Sequence, residues 1–300
     1  MLKIAYSPVY KYSLPEGHRF PMLKYELIPE QLVYEGTVNE DQFFHPDQLT
    51  HDELVLTHTE DFLHRLNKQE LTPKEIRKIG FPMTEALIER GKYISKGTYL
   101  CARYAQKYGV AINVAGGTHH SYADHGEGFC IYNDFAIASN LMLDRAEANK
   151  ILIVDLDVHQ GNGTAHIFQK ERRVFTFSMH GKKNYPARKE QSDLDIGVPD
   201  KADDSYYLTQ LKQTLPDLLD NVQPDFIFYL AGADILDSDK LGRLSMTLAG
   251  AKERDRYVLE LCKRNDIPVA ISMGGGYSED IRTIVDAHAN TFRLAQEIFF

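Results

Sequence analysis

The sequence predicts a single α/β domain spanning residues 1–300, with a central, mostly parallel β-sheet covered by helices on both faces. Three observations predict it. Short apolar runs rich in Val, Ile and Phe alternate with longer amphipathic stretches, the pattern of repeated strand–helix–strand units. The apolar runs are continuous rather than alternating, as in strands buried on both faces. No internal repeat, low-complexity tract or Gly/Ser/Pro linker divides the chain, and 300 residues suffice for one large domain.

The predicted strands are 4–6, 110–114, 151–155, 174–178, 226–231 and 269–273. Helical periodicity is clearest at about 84–107, 133–147, 204–221, 246–264 and 278–297. Residues 7–83 carry several prolines and histidines and a less regular pattern, and no element is assigned there.

Composition narrows the function classes. The chain is 43% hydrophobic and 26% charged, within the globular range, so a sizeable core is expected. A net charge of −9 argues against binding a phosphate backbone directly and is compatible with a basic partner. The cysteines, Cys101, Cys130 and Cys262, are odd in number and lack CxxC spacing, which disfavours a disulfide framework and points to a reducing compartment. The N-terminus lacks the apolar core of a signal peptide, and no run approaches the roughly 18 apolar residues of a membrane span. A soluble cytoplasmic protein is expected, or a nuclear one in a eukaryote.

The unusual residues fall at strand ends. The run at 110–114 leads into Gly116-Gly117-Thr118-His119-His120, and the run at 151–155 into Asp157-Val158-His159-Gln160-Gly161-Asn162-Gly163. The run at 174–178 ends at Ser178-Met179-His180. The runs at 226–231 and 269–273 lead to Gly232-Ala233-Asp234 and Gly274-Gly275-Gly276-Tyr277. Ligand sites of parallel sheets lie beyond the carboxyl ends of the strands, so five segments point at one place.

Asp157 and His159 are one residue apart, so on an extended strand end both side chains would face the same way. With Asp234 as a third ligand they would leave open positions on one cation, as catalytic sites do. Zinc is the first choice, and Fe(II) or Mn(II) also suits two carboxylates and an imidazole. An isolated Asp-x-His is weak evidence, because an aspartate after a strand is often a helix cap; coincidence with the other motifs strengthens it. Two glycines before His119 and His120 allow a sharp turn that presents both imidazoles to one volume, suited to proton transfer near neutrality. Alone, such a pair would read as surface or satisfied core histidines, and His58, His64, His166 and His288 are assigned no catalytic role. Tyr277 after three glycines could set a phenol against a carbonyl. The same turn could cradle phosphate, but no Lys or Arg follows it directly.

These motifs, together with Gly128-Phe129-Cys130-Ile131-Tyr132-Asn133-Asp134 and Gly232-Ala233-Asp234-Ile235-Leu236-Asp237, resemble the histone deacetylase superfamily in order and form, from about Tyr6 to the C-terminus. The Gln160-Gly161-Asn162-Gly163 form and Asp239-Lys240-Leu241-Gly242-Arg243 are most similar to class IV members and their bacterial relatives. The resemblance implies an arginase/deacetylase-like fold and a zinc-dependent amidohydrolase acting on acylated lysine. It assigns Asp157, His159 and Asp234 to the zinc. His120 becomes the general base and acid, His119 its electrostatic neighbour, and Tyr277 the group that polarises the carbonyl. Asp155 would orient His119 and bind a structural potassium ion with carbonyls of Asp157, His159, Ser178 and Met179. Gly128, Phe129, Tyr185, Leu241 and Gly275 would line the acyl-lysine channel.

Two departures follow from the same comparison. Asn162 stands behind His120 where class I members have an aspartate; a neutral amide orients an imidazole without stabilising its cation. Tyr185 replaces the common second channel phenylalanine, so one wall is partly polar, and acyl chains longer than acetyl remain open. Rival readings are an acetylpolyamine or other small-amide hydrolase, a dinuclear manganese ureohydrolase, and an inactive acyl-lysine-binding scaffold. The ureohydrolase would need a carboxylate where Gly161 stands.

Overall fold

The computed structural model describes residues 1–300. Eight strands form one sheet: β1 (Lys3–Ala5), β2 (Phe43–Phe44), β3 (Val110–Asn113), β4 (Ile151–Asp155), β5 (Val174–Gly181), β6 (Leu194–Val198), β7 (Phe226–Leu230) and β8 (Val269–Ser272). Their order is β2-β1-β3-β8-β7-β4-β5-β6, and every pairing is parallel. All residues of β3, β4, β7 and β8 are buried, because helices cover both faces. This is the α/β arrangement the continuous apolar runs predict.

The ten helices are α1 (Lys24–Tyr34), α2 (His51–Leu54), α3 (Glu60–Asn67), α4 (Pro73–Ile79), α5 (Glu85–Tyr108), α6 (Asp134–Asp144), α7 (Asn162–Phe168), α8 (Asp204–Val222), α9 (Leu248–Arg264) and α10 (Ile281–Phe299). The five long helical patterns correspond to α5, α6, α8, α9 and α10, with shifted ends. The 4–6 strand lies one residue earlier, at Lys3–Ala5. Two strands were not anticipated. β2 is only two residues long, and β6 is an edge strand whose Asp195 and Gly197 interrupt its apolar positions.

Register is what assembles a site. Asn113 pairs with Ser272, Ser272 with Leu230, Leu230 with Asp155, and Asp155 with Ser178. The carboxyl ends of β3, β8, β7, β4 and β5 are therefore level across the sheet, and the segments following them emerge side by side. A buried ion pair secures two of these segments from below. Arg254 of α9 pairs with Asp255 at 2.7 Å and donates to the carbonyls of Leu156, at 3.1 Å, and Gly232, at 2.7 Å. Asp255 also accepts from Tyr229 at 2.5 Å and Thr291 at 2.6 Å. With both charges so fully partnered, the cost of burial is offset. No helix is long and apolar enough to cross a membrane.

Candidate active site

Asp157, His159 and Asp234 converge, all buried, with one ligand atom of each within 4.8 Å of the others. The geometry corrects one expectation: Asp157 and His159 do not lie on extended strand. β4 stops at Asp155, and the next residues bend, with the Asp157 amide donating to Asp155 Oδ1 at 3.1 Å and the His159 amide to Asp157 Oδ1 at 2.9 Å. Aspartate side chains favour such local turns over strand continuation, and the turn itself brings imidazole to carboxylate. His159 Nδ1 lies 3.0 Å from Asp157 Oδ1 and 3.1 Å from Asp234 Oδ2. Asp234 Oδ1 accepts from the Val158 amide at 3.0 Å, whereas Oδ2 is buried without a hydrogen-bond donor. An orphaned carboxylate oxygen facing an imidazole nitrogen is a fitting place for a divalent cation. Burial opposes charge on His159, but the two carboxylates outweigh it and lift its pKa to about 10. Burial and the charge of Asp157 raise Asp234 to about 7.

Positive φ at Gly275, 61°, brings the β8 loop backbone against Asp234, where a Cβ would collide with the carboxylate. Asp134, at the start of α6, fixes the turn carrying the twin histidines. It accepts from the Gly117 amide at 3.1 Å, the Thr118 amide at 2.8 Å and the Thr98 hydroxyl at 2.7 Å. The two imidazole centroids are 4.1 Å apart. His119 Nδ1 meets Asp155 Oδ2 at 2.6 Å. Burial works against its charge, yet Asp155 and Asp157 raise its pKa to about 9.

His120 Nδ1 donates to Asn162 Oδ1 at 2.6 Å. The amide cannot be turned around, because Asn162 Nδ2 lies 2.9 Å from Glu127 Oε1, and a carboxylate only accepts. His120 therefore keeps its proton on Nδ1 and leaves Nε2 free as a base. Burial, then the neighbouring charges of His119 and His159, hold its pKa well below the ordinary histidine value. Glu127 was not anticipated. It is buried, paired with Lys78, and accepts from the Tyr185 hydroxyl. Burial opposes its charge, but the partners His125, Lys78, Tyr185 and Asn162 hold its pKa at about 2. Its only sequence signal was its place just before the Gly128-Phe129 motif.

The Tyr277 backbone is held by Asp239, a residue quoted above in a motif but given no role there. Asp239 Oδ2 accepts from the Tyr277 amide at 2.6 Å, and Oδ1 accepts from the amides of Leu241 and Gly242 at 2.8 and 2.9 Å. One carboxylate thus joins the loops after β7 and β8. Burial and the nearby carboxylates Asp234, Asp157 and Asp239 keep the phenol protonated far above its ordinary range, so its hydroxyl retains a proton to donate.

A cavity of about 520 Å³ opens over these groups, lined by His120, His159, Tyr277, Gly128, Phe129, Tyr185 and Leu241 among others. Gly275 lines a deeper, smaller cavity that shares His120, His159, Phe129 and Tyr277 with it. Phe129 holds a left-handed φ of 67°, strained for a bulky residue, and its amide is fixed to the Ile79 carbonyl at 2.6 Å. The sequence-selected catalytic, metal and channel residues thus lie together. Ser178 and Met179 sit apart from the cavity on β5, beside the end of β4. His58 caps no catalytic group but accepts from the Asn133 amide at 3.2 Å. His288 is buried, whereas His64 and His166 are exposed. All three cysteines are buried and free.

An eight-stranded parallel sheet with a metal-competent Asp–His–Asp trio beyond its strand ends defines the arginase/deacetylase-like α/β class. The family model for the histone deacetylase domain matches residues 18–292, and the chain belongs to that family of hydrolases. It is 44% identical over 296 residues to an uncharacterized protein of Picosynechococcus sp. (strain ATCC 27264 / PCC 7002 / PR-6), covering 99% of each chain. It is 29% identical over 305 residues to histone deacetylase 2 of Arabidopsis thaliana, covering 97% of this chain and 79% of that one. The crystal structure of a histone deacetylase homologue from Aquifex aeolicus shares the fold with a TM-score of 0.84 at 21% identity, covering 98% of this chain and 84% of that one.

Proposed function

We propose that this protein hydrolyses the amide of Nε-acylated lysine, as a class IV-type member of its family, with one divalent ion held by Asp157, His159 and Asp234. The observation that carries the proposal is the orphaned Asp234 Oδ2, 3.1 Å from His159 Nδ1, at a cavity also lined by His120 and Tyr277. Zinc is the ion of first choice, with Fe(II) the alternative. The bound ion supplies a Lewis acid for the amide carbonyl and a more acidic water. His120 accepts the proton of the attacking water at Nε2 and later delivers it to the leaving amine. The Tyr277 hydroxyl donates to the oxygen that gains negative charge. His119, set by Asp155, contributes a positive field beside His120. A structural potassium ion is proposed beside Asp155, with carbonyls of Asp157, His159, Ser178 and Met179; the pairing of Asp155 with Ser178 supports it.

Gly161 counts against a dinuclear ureohydrolase. A Cβ there would lie 3.3 Å from the His119 Cβ and closer still to Asp155, so the position has no room for a second bridging carboxylate. The test is hydrolysis of lysine peptides carrying acyl chains from acetyl to myristoyl, with acetylpolyamines alongside and Tyr277→Phe as control. Turnover of acyl-lysine that requires Tyr277 supports the proposal; turnover confined to acetylpolyamines, or none, contradicts it.

A further inference from the structure

The chain carries −9 overall, yet the rim of its substrate cavity is positive. Five cations line that rim, Arg19, Arg77, Lys78, Lys183 and Arg243, and no carboxylate lines it. They come from four separate segments: the stretch before α1, the end of α4, the loop after β5 and the loop after β7. Only two carboxylates neutralise them. Glu127 pairs with Lys78, and Asp200 is shared by Lys183 at 3.6 Å and Arg243 at 3.4 Å. Five cations less two carboxylates leave three positive charges at the rim.

Arg77 and Lys78 also suit the last turn of α4, where cations complement the helix dipole. Arg19, Lys183 and Arg243 lie in loops and serve no helix end. The Arg19 guanidinium sits 4.9 Å from the Phe129 ring centroid, which holds a cation directly over the channel wall. The side chains of Lys183 and Arg243 are 71% and 57% exposed, so their charges face incoming solute.

Whatever reaches past the rim leaves the rest of its molecule among these cations. Resting on the acyl-amide reading above, we infer that the preferred substrate is an acylated lysine flanked by aspartate or glutamate, in an acidic peptide segment. A Lys/Arg-rich tail or an acylated polyamine brings like charge to the rim and is disfavoured, because complementary potential steers encounter and mismatch suppresses it. The net charge of the chain suggested a basic partner; the local charge reverses that expectation. An exposed ion pair is worth at most roughly fivefold, so three unneutralised cations give on the order of tenfold discrimination or more.

The test uses acetyl-lysine peptides of equal length with acidic, neutral or basic flanks, and acetylspermidine, presented to the zinc-loaded protein at low and high salt. The expected order of kcat/KM is acidic, neutral, basic, with an acidic-to-basic ratio of roughly tenfold at low salt that shrinks at high salt. The triple variant Arg19→Glu, Arg77→Glu, Lys183→Glu is expected to bring the ratio to one or below. Lys107→Glu, just before the opposite end of β3, should leave it unchanged. A native ratio of one, or a preference for basic flanks, overturns the inference. If no arm is hydrolysed, the acyl-amide reading fails, and anisotropy of the labelled peptides still decides the charge preference by the same ordering.

Discussion

His120 and Asn162 are joined by a 2.6 Å hydrogen bond whose direction is set one residue further back, by Glu127. The base therefore leans on a neutral amide, and its cation has no adjacent carboxylate. Asn162→Asp would supply one and favour the imidazolium. The acidic limb of the kcat/KM profile, where the base is lost by protonation, is expected to move up by about one pH unit. A limb that stays put or moves down contradicts this role for Asn162.

Glu127 holds the amide through Asn162 and has no place in the chemistry itself. Glu127→Ala is expected to lower kcat by roughly ten- to hundredfold, as loss of outer hydrogen-bond support does. Metal content should be unchanged, because Glu127 touches none of the three ligands. Equal loss of metal and activity in elemental analysis would refute the positioning role.

Tyr277 donates only in the reaction, so its removal should act on kcat. Tyr277→Phe is expected to reduce kcat by roughly 10²–10³ with KM within a few fold and the metal retained. A rise in KM at constant kcat would assign Tyr277 to ground-state binding.

His58, which is assigned no part in the chemistry, makes stability depend on pH. Burial depresses its pKa from 6.5 to about 4. The unfolded chain therefore takes up a proton below about 6.5 that the folded chain refuses until about 4, and stability falls across that window. The loss approaches about 3 kcal/mol. His58→Gln, which keeps an acceptor for the Asn133 amide, should flatten this part of the pH–Tm curve. An unaltered slope would rule His58 out as its source.

Much of this was legible because two signals coincide at the same positions. Continuous apolar runs located the inner strands, and each run ended in a residue type with chemistry, so Asp157, His159, Asp234, His120 and Tyr277 could be named together. What was not legible depended on partners distant in sequence. Glu127 and Asp239 are ordinary acids until folding brings Asn162 and the Tyr277 amide to them. The short helices α2 to α4 did carry start signals, Thr50 with Glu53, Thr59, and Thr72 with Pro73 and Glu75. They were missed because each is too short for periodicity to register. The cationic rim could not be read at all, since its members come from four segments.

The central claim is that one ion joins Asp157, His159 and Asp234 beneath His120 and Tyr277. The most direct test is anomalous diffraction from crystals of zinc-loaded protein, with metal content counted on the same sample. The account predicts one ion per chain, at roughly 2.0–2.2 Å from His159 Nδ1 and from one oxygen of each aspartate. Two ions in the site, or an ion bound elsewhere with these three groups unliganded, would contradict it.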